Sequence, residues 1–520
     1  MARVQVIKVP QVAAVPSAGI TGQEWSVVNL GMSRLNARQL DAASYPGVDP
    51  TGAADSGEGL QLFFNDLSAF RIPGVIPPGT YRVGRILDVG SNTTLSMHGA
   101  TLLQDNLHLG GPAPGQGQSL LRIANGKNIV IAGGTLDGRK SAMTGASEFK
   151  HGIEIRGDCD TITIRDVTAT ANRGDGFFVG RWTEAAPYKV PRNLTFERVT
   201  ATANHRQGMS ITHGRDIAVN DSVFADTAGT APECGLDIEP NNANETIRDI
   251  FFTRCSFTGN RAAGVNIYDT YGTNNGNYVF TACTFRENAR GVALSAGHGA
   301  AFVDASIRDN TAEGVRCADN SFRNATFRGG EVERNGTHGV MIQPPAGATV
   351  VGVTLDGVTV RRNNTVGGAN DNVVLGSTTG GPVTDVLVTR CTLGDPVAAE
   401  TARYSFLTGP SASRMTIADN TLRPGTTATA LLQDEAATRF MRDNQGYRTR
   451  RGGTVSVANA GEFLHGLAAT PTTYSVQATV AGHYAQVASV TSTTMTIRLR
   501  EIATDVGVDT PEPVIWTAEV

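Results

Sequence analysis

The chain has 520 residues, yet charged residues make up only 18% of it and the formal net charge is −4, which gives no electrostatic reason to expect a nucleic acid partner. No apolar run approaches the ~18 residues of a membrane-spanning helix, so we expect no membrane span. Glycine is abundant, at 60 residues, and this is typical of a fold with many tight turns.

The first ten residues lack the apolar core of a signal peptide. Three origins stay open: a cytosolic protein, a chain whose signal has been removed, or a virion protein released by lysis. Among these we expect an extracellular or virion-associated protein. Residues 1–40 show little periodicity and are expected to form an N-terminal arm, either an extended mounting element or a flexible terminus.

A short amphipathic helix is predicted after residue 54, with Asp55 or Ser56 at its start as the capping residue. Its apolar residues recur at the spacing of one helical face: Leu60, Phe63, Phe64 and Leu67. A stacked fold leaves its first layer without a neighbour, and such a helix would cover that open end.

A five-residue phrase recurs through the middle of the chain: glycine, an apolar residue, any residue, an apolar residue and any residue. The copies begin at Gly152, Gly176, Gly208, Gly235, Gly264, Gly291, Gly314 and Gly339. Subtraction places successive glycines 23 to 32 residues apart, which indicates a repeat with turns of variable length. Each copy alternates as a short strand with one buried face does.

Asparagine precedes most copies by three or four residues: Asn172, Asn204, Asn260, Asn288, Asn310 and Asn335. Asparagine tolerates left-handed backbone, and identical amides stacked at strand spacing form ladders. A second alternating strand lies between the phrases, as in 161–164 and 193–196. Two or three strands per repeat predict an all-β fold, a right-handed parallel β-helix with its N-terminal capping helix over residues 41–447.

The period changes after residue 447. The segments 473–480, 485–490 and 494–499 alternate at hairpin spacing and predict a small C-terminal antiparallel β module over residues 452–520. Several of its residues are more apolar than an exposed edge should be: Ile497, Leu499, Val514, Ile515 and Trp516. We expect them to be buried between the chains of a homotrimer; the alternative is the core of a monomeric sandwich.

Three of the six cysteines, Cys255, Cys283 and Cys391, occupy the repeat position that Val167 holds in another coil. This shared position predicts a buried column in preference to disulfide bonds. The cysteines also lack zinc-binding spacing.

The strand alternation indicates which side chains leave the wall of the solenoid. In the Gly235 copy, Leu236 and Ile238 point inward, whereas Asp237 and Glu239 point outward. Coils stacked ~4.8 Å apart predict one outward column through Asp237. The members of this column are Glu154, Phe178, Ser210, Asp237, Asn266, Ala293, Arg316 and Met341. The clustering of polar and acidic residues around Asp237 is the strongest functional signal in the sequence.

Two carboxylates at positions i and i+2 of a strand have Cβ atoms roughly 6.5 Å apart. Side-chain lean can bring the carboxyl groups near the separation of a retaining or an inverting glycosidase, with one as acid and the other as base or nucleophile. The candidate catalytic residues are Asp237, Glu239, Asp175, Arg206 and Tyr268. The candidate substrate-binding residues are Trp182, Arg181, His205, His213, Glu233, Asn266 and Asp269. Outward polar residues also occur on any solvated strand, so a structural role stays open.

A lyase would need a base and a cation that neutralises a uronate carboxylate. The bases available are Tyr268, His205 and Arg206. Calcium is an optional cofactor in that scheme, with Asp175, Asp237 and Glu239 as ligands. Hydrolysis requires no cofactor.

The sequence at 45–56, the helix after it and residues 77–81 (Pro-Pro-Gly-Thr-Tyr) resemble the beginning of the pectate-lyase-like β-helix superfamily. The resemblance covers roughly residues 45–445. The superfamily includes polysaccharide lyases, glycoside hydrolases, uronan epimerases and phage tailspikes, of which the tailspikes commonly work as trimers. The resemblance therefore implies an enzyme that degrades an extracellular or cell-surface polysaccharide, in the manner of a phage tailspike. The alternatives are a secreted uronan lyase or C5-epimerase and a non-catalytic glycan-binding β-helix.

The coils at 174–179 and 206–211 are similar to coils of the mannuronan C5-epimerases. That family's catalytic phrase Tyr-Gly-Phe-Asp-Pro-His falls on residues 151–156, where its tyrosine, aspartate and histidine are replaced. A further catalytic aspartate of the family falls on Gly180. These departures argue against the epimerase reaction.

Overall fold

The computed structural model describes residues 38–519 with several gaps. The gaps are 106–118, 143–147, 183–186, 272–274, 396–398, 427–431, 435–437, 447–449, 466, 468–469 and 493, and only backbone is described at 432–434, 438–440, 450–453 and 519. The predicted N-terminal arm lies outside the described residues as far as residue 37.

Three parallel sheets run along the solenoid, and the predicted right-handed parallel β-helix is confirmed. Sheet 1 carries the glycine phrases and consists of Leu87–Asp88, Leu121–Ala124, Ile153–Arg156, Phe177–Gly180, Met209–Ile211, Leu236–Ile238, Ala263–Tyr268, the first part of Arg290–Val303, Val315–Cys317, Val340–Ile342, Val373–Leu375, Phe406–Thr408 and Leu432–Asp434. Sheet 2 consists of Leu40–Asp41, Gly74–Val75, Thr94–Ser96, Lys127–Ala132, Asp160–Arg165, Arg192–Glu197, Gly214–Asn220, Ile247–Thr253, Gly276–Thr281, the second part of Arg290–Val303, Phe322–Arg328, Val350–Asp356, Val383–Thr389, Ala412–Ala418 and Thr438–Arg442. Sheet 3 consists of Thr51–Asp55, Gly79–Val83, Ala100–Gln104, Thr135–Asp137, Thr168–Thr170, Thr200–Thr202, Val223–Ala225, Ser256–Thr258, Thr284–Arg286, Ser306–Arg308, Glu331–Glu333, Thr359–Arg361, Thr392–Leu393 and Thr421–Leu422.

The predicted capping helix spans Gly57–Phe70, and short 3-10 turns lie at Ala42–Ser44 and Lys140–Ala142. The Asp55 carboxylate accepts a hydrogen bond from the Gly57 amide at 2.9 Å, so Asp55 satisfies one of the free donors at the start of the helix. The four predicted apolar residues of the helix are completely buried. No helix within the described residues is long and apolar enough to cross a membrane.

Aromatic side chains stack in columns inside the solenoid, because the same position of successive coils points inward. In sheet 2 the rings of Phe252, Phe280, Phe302 and Phe327 follow one another with centroids 4.8 to 5.2 Å apart and planes within 11°. All four rings are almost fully buried. The phenylalanine column therefore connects four successive coils through their apolar core.

The predicted asparagine ladder is present in the turns that lead from sheet 3 to sheet 1, the 3–1 turns (for example 203–208 and 226–235). The Nδ2 of Asn260 donates to Oδ1 of Asn288 at 2.9 Å, and Asn288 donates to Asn310 at 3.1 Å. The ladder is interrupted in the coil that carries Asp237, where Thr227 takes the asparagine position and its amide donates to Asn260. The buried Thr227 hydroxyl has no hydrogen-bond partner among the described residues.

A second column, of left-handed residues, marks the beginning of the sheet 2 strands. Eight residues of the column have φ between 54° and 59°: Asn128, Thr161, Asn193, Asp216, Asp249, Asn277, Asn324 and Asp385. Most are asparagine or aspartate, the residues other than glycine that adopt this conformation most readily. Because the same irregularity recurs in successive coils, the strands stay in register.

The C-terminal module contains two three-stranded antiparallel sheets: Arg450–Val457, Glu512–Glu519 and Thr473–Ala478 in one, and Gly461–Leu464, Thr494–Glu501 and His483–Val490 in the other. Ile497, Leu499, Val514 and Trp516 are buried within the module itself, whereas Ile515 is 47% exposed. The expectation that the first four need other chains for burial is therefore wrong. Strands facing each other across a small sandwich already remove these side chains from water.

All six cysteines are buried and unpaired. The column prediction for Cys255, Cys283 and Cys391 agrees with this burial, and the sequence contributes no disulfide to the stability of the solenoid.

Candidate active site on the outer face of sheet 1

The outward column predicted through Asp237 is present residue for residue. Ser210 pairs with Asp237, Asp237 pairs with Asn266, and the register continues in both directions from Glu154 to Met341. This part of the outer face is not solvated, because the Asp237 side chain is only 2% exposed and Glu154 is completely buried. The 3–1 turns supply side chains that cover this part of sheet 1.

Asp237 is held by amide groups from two neighbouring coils. Nδ2 of Asn266 donates to its Oδ1 at 2.9 Å, and Nε2 of Gln207 donates to its Oδ2 at 3.1 Å. The Gln207 amide has a defined orientation, since its Oε1 accepts the backbone N–H of Cys234 at 2.7 Å. Both carboxyl oxygens of Asp237 are thus fixed by donors, and the carboxyl cannot rotate freely.

The half-buried Glu239 lies close enough to Asp237 to act on it electrostatically. Burial, together with the neighbouring Glu239 carboxylate, raises the pKa of Asp237 to about 8. Asp237 therefore stays protonated at neutral pH, beside the more exposed Glu239.

A second carboxyl lies in the 3–1 turn two coils before Asp237. Asp175 is completely buried, and Arg206 lies 3.4 Å from each of its carboxylate oxygens. The same guanidinium donates to Oγ of Ser210 at 3.3 Å, the residue directly beneath Asp237 in the column. Burial raises the pKa of Asp175 to about 6, against the opposing effect of Arg206. Arg206 thus connects the predicted residues Asp175 and Asp237 through Ser210.

His151, absent from the predicted site, is in contact with Asp175. Its Nδ1 accepts the Asp175 amide at 3.0 Å, which places the proton of the neutral ring on Nε2. Burial, and then Arg156 and Arg206, hold the pKa of His151 well below its ordinary value. The Nε2 atom has no hydrogen-bond partner among the described residues. His151 is therefore a neutral, buried group beside a protonatable carboxyl.

Phe178 separates two charged parts of the column. The His151 ring stacks on it at 4.8 Å, and the Arg156 guanidinium lies 4.2 Å from its centroid. Arg156 also donates to Glu154 at 2.9 Å. The positions of Glu154 and Phe178 follow from the sequence, because both belong to the predicted column. Their contacts with His151 and Arg156 depend on turn geometry, which the strand pattern does not predict.

The turns from sheet 1 to sheet 2, the 1–2 turns (for example 181–191 and 239–246), contain three of the predicted binding residues. Nε of Arg181 lies 3.1 Å from Glu245, and its guanidinium lies 5.0 Å from the Tyr188 ring. His213 is completely buried and contacts Tyr188 edge-on, with ring centroids 6.1 Å apart. Trp182 is half-buried, with the Arg122 guanidinium 5.4 Å from its ring centre.

The other predicted residues are divided between the two edges of sheet 1. Tyr268 is 38% exposed, and the neighbouring Asp269 is buried and accepts from Asn275 at 2.9 Å. His205 and Glu233 lie in the 3–1 turns. There His205 contacts the Thr230 hydroxyl at 2.9 Å, and Glu233 accepts from Gly229 and pairs with Arg261. His205 and Glu233 are thus engaged by residues of the 3–1 turns and not by the Asp237–Glu239 pair.

The predicted calcium ligands Asp175, Asp237 and Glu239 do not fit a cation site. Among the described residues no group of three or more histidine, cysteine, aspartate or glutamate side chains could hold a metal ion. The Asn266 and Gln207 amides and the Arg206 guanidinium direct N–H groups at the carboxylate oxygens that a cation would need.

Known proteins share this architecture. A family model described as a right handed beta helix region matches residues 192–378. The pre-mature gene product 12 of bacteriophage phi29 is similar with a TM-score of 0.60 and 17% identity, over 82% of this chain and 58% of that chain. The tailspike protein gp49 from Pseudomonas phage LKA1 has a TM-score of 0.54 and 12% identity, over 92% of this chain and 100% of that one.

The A-module of the Azotobacter vinelandii mannuronan C-5 epimerase AlgE6 is similar with a TM-score of 0.51 and 15% identity, over 78% of this chain and 98% of that one. No curated protein matches the chain in sequence. At these identities the likeness concerns the fold. Together with the three stacked sheets, it places the chain among the right-handed parallel β-helix proteins.

Proposed function

We propose that this protein cleaves glycosidic bonds in an extracellular or cell-surface polysaccharide, in the manner of a phage tailspike depolymerase. The observation that carries the proposal is the buried Asp237 carboxyl, which the Asn266 and Gln207 amides fix on the outer face of sheet 1, two residues before the half-buried Glu239. Glu239 is the more exposed member, so it is the one placed to meet a glycan. The fold that the chain shares with a tailspike protein and an epimerase module is consistent with a carbohydrate ligand.

In this proposal the pair protonates the glycosidic oxygen as the bond from that oxygen to the sugar carbon breaks. In hydrolysis, water attacks the anomeric carbon and returns a proton to the pair. In β-elimination, the pair delivers the proton to the leaving oxygen while a base removes the C5 proton of a uronate, and a double bond forms. Tyr268, which is 38% exposed and lies in the next coil after Ile267, the partner of Ile238, is the base that the second route would use.

Chain shortening of capsular, exopolysaccharide and uronan panels tests the proposal. We expect oligosaccharide products, and a rise in ultraviolet absorbance from unsaturated uronate would select elimination over hydrolysis. Asp237→Asn should lower the rate by about 10²- to 10⁴-fold, the usual contribution of general acid catalysis. Asp319→Asn, which alters a carboxylate that pairs with Arg316 further along the solenoid, is the matched control. Equal rates for the two variants would contradict the assignment.

A non-catalytic glycan-binding β-helix is the second candidate. The observation in its favour is the burial of Asp175 and Asp237, whose carboxyl oxygens are already engaged by Arg206, Asn266 and Gln207. Such a polar seam can serve to fix neighbouring coils. It predicts tight glycan binding without products, and unchanged binding in Asp237→Asn.

We also propose that the protein works as a homotrimer outside the cell or on a virion. The support lies in the C-terminal module, where Leu464, Ile502 and Val506 are 60% to 71% exposed and Ile515 is 47% exposed. Light scattering should give three times the 54.6 kDa chain mass. A monomer at micromolar concentration would contradict the trimer. Dissociation of the trimer on deletion of 452–520, with the solenoid still folded, would assign assembly to the module.

A further inference from the structure

Three arginines form a column where the 1–2 turns enter sheet 2. Arg192 pairs in register with Arg215, and Arg215 pairs with Arg248. Successive coils are ~4.8 Å apart, so the guanidinium groups repeat at that interval along the axis. The next coil has Gly276 at this position, which leaves the end of the column open.

The hydrogen bonding of the three arginines differs. Arg192 is engaged, with Asp158 at 3.1 Å and Asp160 at 2.8 Å. The carboxylates nearest to Arg215 and Arg248 are those of the following residues, Asp216 and Asp249, each 3.7 Å away and outside hydrogen-bond distance. Neither guanidinium donates a hydrogen bond to a described residue. Their side chains are 36% and 46% exposed, so their donors are available to a ligand.

The column borders an open cleft of about 590 Å³ that also includes Tyr188 and Lys189. Tyr188 is held in place by His213 and Arg181, as described above. A fixed aromatic ring beside guanidinium groups is suited to sugars, because the ring contacts the apolar face of a pyranose while arginine binds an anionic substituent. The aspartates near the column reduce its net charge, so the recognition depends on directed hydrogen bonds more than on charge alone.

From this arrangement we infer that the Arg192–Arg215–Arg248 column is a binding site for an acidic polysaccharide, separate from the Asp237–Glu239 pair. The ~4.8 Å interval between coils is comparable to the size of one sugar ring. A polymer with one carboxylate or sulfate on each sugar would therefore present one anion to each coil, with its axis parallel to the solenoid. The inference rests on the proposed function only in taking a polysaccharide as the ligand.

The test is the binding of oligouronates of one to six residues to the full chain, measured by calorimetry. Affinity should rise up to about three residues and then level off, because the column spans three coils. Arg215→Ala with Arg248→Ala should weaken the binding of a tetrauronate by at least about tenfold, since each charged hydrogen bond contributes roughly that factor. Lysine at both positions should give an intermediate affinity, because lysine keeps the positive charge but cannot donate the two parallel hydrogen bonds that a guanidinium donates.

The matched control is Arg198→Ala with Arg254→Ala, which removes the same charge from residues paired with Asp166 and Asp221 between sheets 2 and 3. We expect its affinity to equal that of the unaltered protein. Sulfated oligosaccharides of the same lengths identify which anion the column prefers. Equal affinities of the two double alanine variants would overturn the inference, and so would equally tight binding of a neutral glycan or of single-stranded DNA.

Cleavage and binding measured separately distinguish the two proposals. If the protein cleaves no glycan but binds tetrauronate through Arg215 and Arg248, the proposed reaction is wrong and the binding site is supported. If the protein cleaves a glycan, and the double Arg215/Arg248 alanine variant binds and cleaves acidic substrates as well as the unaltered protein does, the binding site is wrong and the reaction is supported.

Discussion

The Gln207 amide connects the backbone of one coil with the carboxyl of Asp237: its oxygen accepts the Cys234 N–H at 2.7 Å and its nitrogen donates to Asp237 at 3.1 Å. Gln207 is completely buried. Since the backbone contact fixes the amide orientation, the group facing Asp237 must be the donor. The position of the candidate acid is thereby set by the main chain of its own coil.

Replacing Gln207 with alanine should therefore destabilise the protein by about 1–3 kcal/mol, because a buried N–H and a buried carboxyl oxygen both lose a partner. Chemical denaturation measures this change. Gln343→Ala is the control, since its amide donates to a single carbonyl, that of Gly376, from a half-buried position. A loss no larger than that of the control would show that Gln207 does not constrain Asp237.

Cleavage should decline as the pH rises through about 8, because the proton that Asp237 holds is then lost. The pH profile of kcat/KM, which reports on the free enzyme, is the measurement. Glycan binding over the same range serves as the control and should not show the same decline. A rate that continues to rise above pH 8 would contradict the role of Asp237 as acid.

Asp237→Asn should gain thermal stability relative to the unaltered protein as the pH increases. Burial raises the pKa of Asp237 from its ordinary value of 3.8 to about 8, so between these two pH values the folded state binds a proton that the unfolded state releases. The contribution of Asp237 to the free energy of unfolding consequently falls as the pH rises. Asparagine does not titrate, so the variant does not lose stability in this way. For Asp175→Asn the gain should end near pH 6. Melting temperatures at several pH values test both windows, and identical windows for the two variants would contradict the assigned causes.

Thr227→Asn should stabilise the solenoid by about 1 kcal/mol, because an asparagine there would continue the ladder between Asn204 and Asn260. The melting temperature should rise accordingly. Thr227→Val, which only removes the unpaired buried hydroxyl, is the control and should be close to neutral. A destabilised Thr227→Asn protein would mean that this coil cannot accommodate the ladder geometry.

The sequence was sufficient for the strand register, because glycine phrases and outward positions repeat with few exceptions. Every member of the column from Glu154 to Met341 was assigned correctly, and so was the asparagine ladder. Alternation identifies the side of the wall on which a residue lies. It says nothing about what the turns place over that side, so the burial of Asp237 and its contact with Gln207 were not predictable.

The module at the C-terminus shows the same limit in another form. Its apolar residues were recognised, yet the sequence could not distinguish a core shared between chains from a core within one chain. Ile497 and Trp516 are buried by strands distant in sequence, and such pairings are decided by tertiary packing. The contact of His151 with Asp175 likewise joins residues of neighbouring turns whose lengths vary.

The left-handed residues at the start of the sheet 2 strands give the solenoid a tolerance for change. Each one begins its strand at the same register position, however many residues the preceding turn contains. The 1–2 turns can therefore be lengthened, shortened or exchanged while the arginines after them stay aligned. New loops at 181–191 or 239–246 could therefore be grafted from other β-helices as interchangeable parts. Ligand preference in this fold is open to alteration one turn at a time.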